Sequence, residues 1–189
     1  VMTGGGLRVI DYKSGARKFD PTLVYWGLQL QLLLYLAAAL SRVPGSHAAG
    51  FFYCRIADPT VKTESRIREE VEKQIAKKLS LQGISLSDVA ILRAQGGSVA
   101  SMVTKDGKPN GRYAASMVDE AGMEKLLDFA KRKAAELAGE IYRGEMDDSP
   151  VERGAFNACQ NCEYSAICAF DPIRKPRRRL TAKKLDDLL

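Results

Sequence analysis

Leu7-Arg8-Val9-Ile10-Asp11-Tyr12-Lys13-Ser14-Gly15 is the stretch that decides how this chain is read. Its first seven residues are rich in strand formers, and Ser14-Gly15 is a turn signal that ends the run. Asp11 and Lys13 stand two residues apart, so a strand projects both from one face. Working outward, Asp20-Pro21-Thr22 marks a helix start. Leu23 to Arg42 then reads as one long apolar helix, buried on most sides and stopped by Pro44-Gly45. Gly50 to Ala57 has strand composition, and Asp58-Pro59 closes it. Strand, buried helix, strand is a βαβ pattern and predicts an α/β sheet.

The remaining chain reads as further elements around that unit. Thr63 to Leu81 is a charged amphipathic helix with Val71, Ile75 and Leu79 on one stripe, stopped by Gly83. Val89 to Ala94 reads as a strand. Gln95 to Gly111 reads as a mobile loop or hairpin turning at Lys105-Asp106-Gly107. Arg112 to Val118 reads as a short strand. Asp119 to Tyr142 is a long helix, with Leu126, Phe129, Ala130, Lys133 and Leu137 at helical spacing. Asp147-Asp148-Ser149-Pro150 opens a loop leading to three cysteines. Ile173 to Leu189 is basic and then acidic, and reads as an extended or weakly helical tail. We divide the chain into a core (1–150), a cysteine segment (151–172) and a basic tail (173–189).

A chain of 189 residues, 46% apolar and 28% charged, has the composition of a folded domain and not of a disordered one. Its net charge of +6 suits an acidic partner such as nucleic acid, without requiring one. The longest apolar run, Leu30 to Leu40, is far short of the ~20 residues that span a bilayer. With no secretory signal pattern, the chain is read as cytoplasmic and off the membrane. It opens with Val-Met and enters a core strand almost at once, which reads as a fragment of a longer protein. The single His47 reads as a surface loop residue.

A carboxylate and an ammonium side by side at a strand end suit phosphodiester hydrolysis. The carboxylate can hold Mg²⁺, which prefers oxygen, and the ammonium can orient water and stabilise charge on the phosphate. Alone, Asp-x-Lys on a strand is most often a solvated ion pair. Gln31 and Tyr35 lie one helical turn apart on one face. They could reach a ligand or brace the strand, or form a polar notch in a buried helix.

Cys159-Gln160-Asn161-Cys162 and Cys168 place three of the four cysteines within ten residues. Such density in a cytoplasmic chain points to metal and not to disulfides. Zn²⁺ and an iron–sulfur cluster both fit the spacing. Cys54, among Phe51, Phe52, Tyr53 and Ile56, reads as a small core residue and not as a fourth ligand. The Arg177-Arg178-Arg179 run and the Thr63 to Leu81 helix are either DNA contacts or solvated faces.

Together these strings resemble a known family. Val9 to Gly15 followed by Gln31 and Tyr35 is similar to the nuclease domain of the RecB family, within the PD-(D/E)XK superfamily, where a hydrophobic strand ends in Asp-Tyr-Lys and the next helix carries Gln-x-x-x-Tyr. Ala158 to Asp171 resembles the C-terminal segment of the B subunit of AddAB-type ATP-dependent helicase–nucleases. The resemblance covers nearly the whole chain. It implies an α/β restriction-endonuclease-like core, a mixed sheet flanked by helices, with a C-terminal cysteine-cluster segment. It implies a Mg²⁺-dependent deoxyribonuclease that processes double-strand DNA ends for recombinational repair, with DNA and a helicase–nuclease A subunit as partners. Asp11 and the Tyr12 carbonyl would hold Mg²⁺, Lys13 would act on water and phosphate, and Gln31 and Tyr35 would position the DNA. Cys159, Cys162 and Cys168 would join an upstream cysteine around a structural [4Fe-4S] cluster. The family's pattern has an acidic residue before the Asp-Tyr-Lys strand, and none of the first six residues is acidic. The expectation is an incomplete site, with slow or no cleavage by the isolated chain and an incomplete or empty cluster site. Two other readings are kept: a stand-alone CRISPR-associated-type exonuclease of the same superfamily, and a non-catalytic nuclease-like module that binds DNA or scaffolds a complex.

Overall fold

The computed structural model describes residues 5–56, 59–61, 67–145, 147, 149–154 and 156–189, with Phe156 as backbone only. Asp58, Asp148 and the expected start of the charged helix at Thr63 lie outside the described residues.

The fold is built on a four-stranded mixed sheet in the order β1-β2-β3-β4. β1 (Gly6–Lys13) and β2 (His47–Arg55) pair in parallel. They are joined through two helices, α1 (Pro21–Tyr25) and α2 (Gln31–Arg42), as the βαβ pattern predicts. Asp20 caps α1, its side chain accepting from the Thr22 amide. β3 (Gln82–Leu86) runs antiparallel to β2, and β4 (Met117–Val118) parallel to β3.

Side chains alternate across β2 and build a core on each face. Phe51 and Tyr53 pack with Leu32, Leu33 and Leu36 of α2. Met123, Leu126 and Ala130 of α6 (Glu120–Tyr142) belong to the same core. Phe52, from the opposite face, packs with Leu92 of α4 (Val89–Gln95), Val99 of α5 (Gly97–Ala100) and Met102. The central strand is thus covered on both sides, which is why Gly50 to Tyr53 reads as a continuous buried run.

Several expectations need correction. Leu23 to Arg42 is two helices: the first ends at Trp26, and Gly27 turns the chain at φ +80°. A side chain there would be strained, and its Cβ would sit 2.6 Å from Leu137. α2 is not buried on most sides, because Gln31, Tyr35, Ala38 and Arg42 form an exposed stripe. Gly83 does not stop a helix. It lies inside β3, where a Cβ would meet the Phe51 carbonyl oxygen at 2.0 Å, so only glycine lets the two strands approach. Val89 to Ala94 is helix and not strand, because the Asp88 side chain accepts from the Ile91 amide and caps α4. The charged helix, α3 (Arg68–Lys78), buries no residue. Gln95 to Gly111 is partly helical at α5, while the expected turn is present where Thr104 and Lys108 bond. Gly111–Ser116 forms a 3-10 turn, and only Met117–Val118 is strand. His47 opens β2 and is half-buried.

After α6 the chain forms a second sheet, of β5 (Val151–Arg153), β6 (Phe156–Asn157) and β7 (Arg178–Arg179), and one helical turn, α7 (Ser165–Cys168). The last residues return to the main core: Leu188 is buried there, and Lys183 and Thr22 exchange hydrogen bonds. Among the described residues, no helix is long and apolar enough to cross a membrane.

Candidate functional site

Asp11 and Lys13 end β1 on the face that carries Leu7 and Val9 into the main core. The Lys13 Nζ lies 2.8 Å from Asp11 Oδ2, with the side chains 32% and 17% exposed. That oxygen is buried and accepts no hydrogen bond of good geometry, so the ion pair is its compensation. In register on β2, Asp11 stands beside Tyr53 and Lys13 beside Arg55. Tyr12 points to the opposite face and is 61% exposed, which leaves its backbone carbonyl as the group it could offer at the site.

Sequence reasoning missed the residues that hold the loop after β1. Gln29 is buried; its Oε1 accepts from the Asp20 amide at 2.8 Å, and its Nε2 donates to the Lys18 carbonyl at 2.9 Å. It also shares a hydrogen bond with the Tyr53 hydroxyl. Burial raises the Tyr53 pKa above its ordinary 10.0; the Arg17 charge opposes this, the Asp11 charge adds to it, and the Gln29 bond opposes it. The Asp20 carboxylate pairs with Arg153 of β5, tying the loop to the second sheet. A polar residue inside the apolar string Gly27 to Leu36 was the available signal for Gln29.

Gln31 and Tyr35 do share a face, and Gln31 Nε2 donates to the Tyr35 hydroxyl at 3.1 Å on the surface of α2. They are not a buried notch. Among the described residues no hydrogen bond or ion pair joins them to Asp11 or Lys13. Cys54 is not a core residue: it is half-buried and lines a cleft with Lys13, Arg17 and Arg55.

The donor atoms decide which metals fit. Asp11 Oδ2, a buried carboxylate oxygen short of a hydrogen bond, suits Mg²⁺, which keeps several waters and needs few protein ligands. Among the described residues, no three His, Cys, Asp or Glu side chains gather as a metal site. Asp11 therefore supplies one ligand and not a cage. Cys159 and Cys162 are half-buried and Cys168 exposed, all as free thiols. They follow one another around the turn into α7, where the Ser165 amide donates to the Cys162 carbonyl at 3.3 Å. The donor chemistry suits zinc or an iron–sulfur cluster, but the three thiols do not converge on one point.

The comparisons with known proteins come to the same place. The chain is 37% identical over 180 residues to the B subunit of the ATP-dependent helicase/deoxyribonuclease of Alkaliphilus metalliredigens, covering 89% of this chain and 16% of that protein. It is 33% identical over 194 residues to the corresponding protein of Alkaliphilus oremlandii (96% and 17%) and 37% over 199 residues to that of Desulforudis audaxviator (97% and 17%). It thus spans about a sixth of the length of the curated relatives it matches. The profile of the PD-(D/E)XK nuclease superfamily matches residues 1–169, from before β1 through α7. With Asp11 and Lys13 paired at the end of the first strand of a mixed α/β sheet, this chain belongs to the PD-(D/E)XK nuclease superfamily.

Proposed function

We propose that this chain is the nuclease domain of a helicase–nuclease B subunit, cleaving DNA phosphodiesters with Mg²⁺. The observation that carries the reading is the Asp11–Lys13 pair, whose buried carboxylate oxygen has only the lysine for compensation. Bound beside Asp11, Mg²⁺ would lower the pKa of water and neutralise phosphate charge. Asp11, with the Tyr12 carbonyl, would hold it. The Lys13 ammonium would orient the attacking water and stabilise charge building on the phosphate. Gln31 and Tyr35, exposed on α2, would position the strand.

The relatives' names support a place in a complex with a partner A subunit, acting on DNA in the cytoplasm. Processing of double-strand ends for recombinational repair is the role we propose for that complex. We propose further that Cys159, Cys162 and Cys168, with a fourth cysteine, hold a [4Fe-4S] cluster that staples residues 151–172 to the core at 1–150. The basic tail, 173–189, would close the fold. Since the chain spans 16–17% of these relatives, they favour this reading over a stand-alone exonuclease. One observation favours a non-catalytic module instead: no second carboxylate joins Asp11 in a metal site among the described residues.

The test is degradation of linear DNA by the full-length protein with its partner across a Mg²⁺ titration, wild type against Asp11→Asn. We expect a Mg²⁺ requirement and a loss of at least about a hundredfold in the variant. Equal rates contradict the reading. Intact DNA binding without cleavage by either protein selects the non-catalytic module. The 189-residue chain alone is expected to cleave slowly or not at all.

A further inference from the structure

We propose that the cleft between the end of the β1–β2 pair and the last turn of α3 grips the phosphodiester backbone of one DNA strand. This rests on the nuclease reading above and extends it to residues outside the Asp11–Lys13 pair. The cleft has a volume of about 320 Å³ and is lined by six cations: Lys13, Arg17, Lys18, Arg55, Lys77 and Lys78. No acid is among its described lining residues.

Three features favour an anionic ligand over a merely solvated face. First, exposed cations elsewhere are often paired, as Arg68 is with Glu72 and Lys131 with Asp128. In the cleft, among the described residues, Lys13 alone has an ion-pair partner. Secondly, Arg55 Nε is buried and donates to nothing, a cost that an anion in the cleft would relieve. Thirdly, the charges converge from separate elements. Lys77 and Lys78 in the last turn of α3 are explained by the helix dipole alone, but that effect does not bring Arg55 of β2 and Arg17 of the loop to the same place. Lys78 donates to the neutral Thr60 carbonyl, so its charge is uncancelled.

The size selects one strand. The cleft is at the low end of small-ligand pockets, room for a nucleotide or two and not for a duplex. Its described lining offers cations, Ser80, Gln82 and the rim of buried Tyr53, with no exposed ring for a base to stack on. Contact is therefore with the backbone, without base preference. Because Lys13 belongs both to the Asp11 pair and to the cleft wall, a strand held here runs directly into the proposed site of cleavage.

The experiment measures binding of a fluorescent oligothymidylate to the 189-residue chain across a salt series. It compares wild type, Lys77→Gln/Lys78→Gln, Arg17→Gln, and a control, Lys125→Gln/Arg132→Gln, on exposed positions of α6. The α3 substitutions leave the core untouched, because α3 buries no residue; circular dichroism verifies each fold. The expected result is about tenfold weaker binding by the double α3 variant and a log–log salt slope shallower by about 1.4. Arg17→Gln shifts the same way by about half, the control stays at wild-type affinity, and a mixed-sequence oligonucleotide behaves like oligothymidylate. Wild-type affinity in both cleft variants, or no binding by wild type, overturns the cleft assignment. Neither result touches the nuclease reading, which fails separately if Asp11→Asn degrades DNA at the wild-type rate in the full-length complex.

Discussion

The Asp11–Lys13 end of β1 and the cysteine segment are the two chemically loaded regions of this molecule, and they are held by different means. β1 is hydrogen-bonded along its length to β2, itself covered on both faces, so Asp11 and Lys13 inherit their positions from the sheet. The cysteines sit among strands of two and three residues and a single helical turn with no buried residue. Polar tethers hold that region: Arg153 to Asp20, Arg179 to Glu152 and Lys175 to Asp147. The contrast teaches that the first site is preorganised by folding, whereas in the second a bound metal would supply much of the order itself.

Substitutions in the two regions should therefore differ in cost. Gly83→Ala is expected to be the most damaging, at about 3 kcal/mol or more, because a Cβ meets the Phe51 backbone and pushes β2 and β3 apart. Urea denaturation measures it; a loss below about 1 kcal/mol would mean the sheet yields easily and the preorganisation argument is wrong. Gln29→Ala should cost about 1–3 kcal/mol, since the Asp20 amide, the Lys18 carbonyl and the Tyr53 hydroxyl all lose a partner. A crystal structure of that variant should show the 14–20 loop displaced while β1 stays in register.

Tyr53 sharpens the comparison by pH. Its pKa is raised in the folded state, so the folded chain keeps a proton that the unfolded chain releases above about pH 10. Its contribution is full below that value and is lost as pH rises towards the folded pKa. Tyr53→Phe should flatten the alkaline decline in stability, and parallel curves for the two proteins would remove Tyr53 as its source. At the weak end, changing Cys159, Cys162 and Cys168 together to Ser in the metal-free chain should move global stability by no more than about 0.5 kcal/mol. A loss comparable to that of Gly83→Ala would show that the cysteine segment is part of the main folding unit.

What the sequence made legible follows the same division. β1, the Asp20 cap, β2 and the Asp119-capped α6 were readable because pairing, capping and apolar spacing leave local marks. Gly83 misled because a glycine that ends a helix and one that admits a neighbouring backbone look alike until Phe51 is known to lie across from it. Val89 to Ala94 is a short apolar run compatible with either strand or helix, and the Asp88 cap decides it. The Asp-x-Lys pair could be found because strand geometry alone brings those two side chains together. The basic cleft could not, since Arg17, Arg55 and Lys77 meet only once a loop, a strand and a helix have packed. The cysteine spacing announced metal chemistry, but spacing alone chooses no cluster.

The most direct test of the central claim is strand-resolved degradation of linear duplex DNA by the full-length protein with its partner and Mg²⁺, wild type against Lys13→Ala. The account predicts that the variant binds DNA within a few-fold of wild type and loses cleavage of one strand by about 10²–10³-fold. A Lys13→Ala protein that cuts both strands at the wild-type rate would contradict it and leave the Asp11–Lys13 pair a structural ion pair.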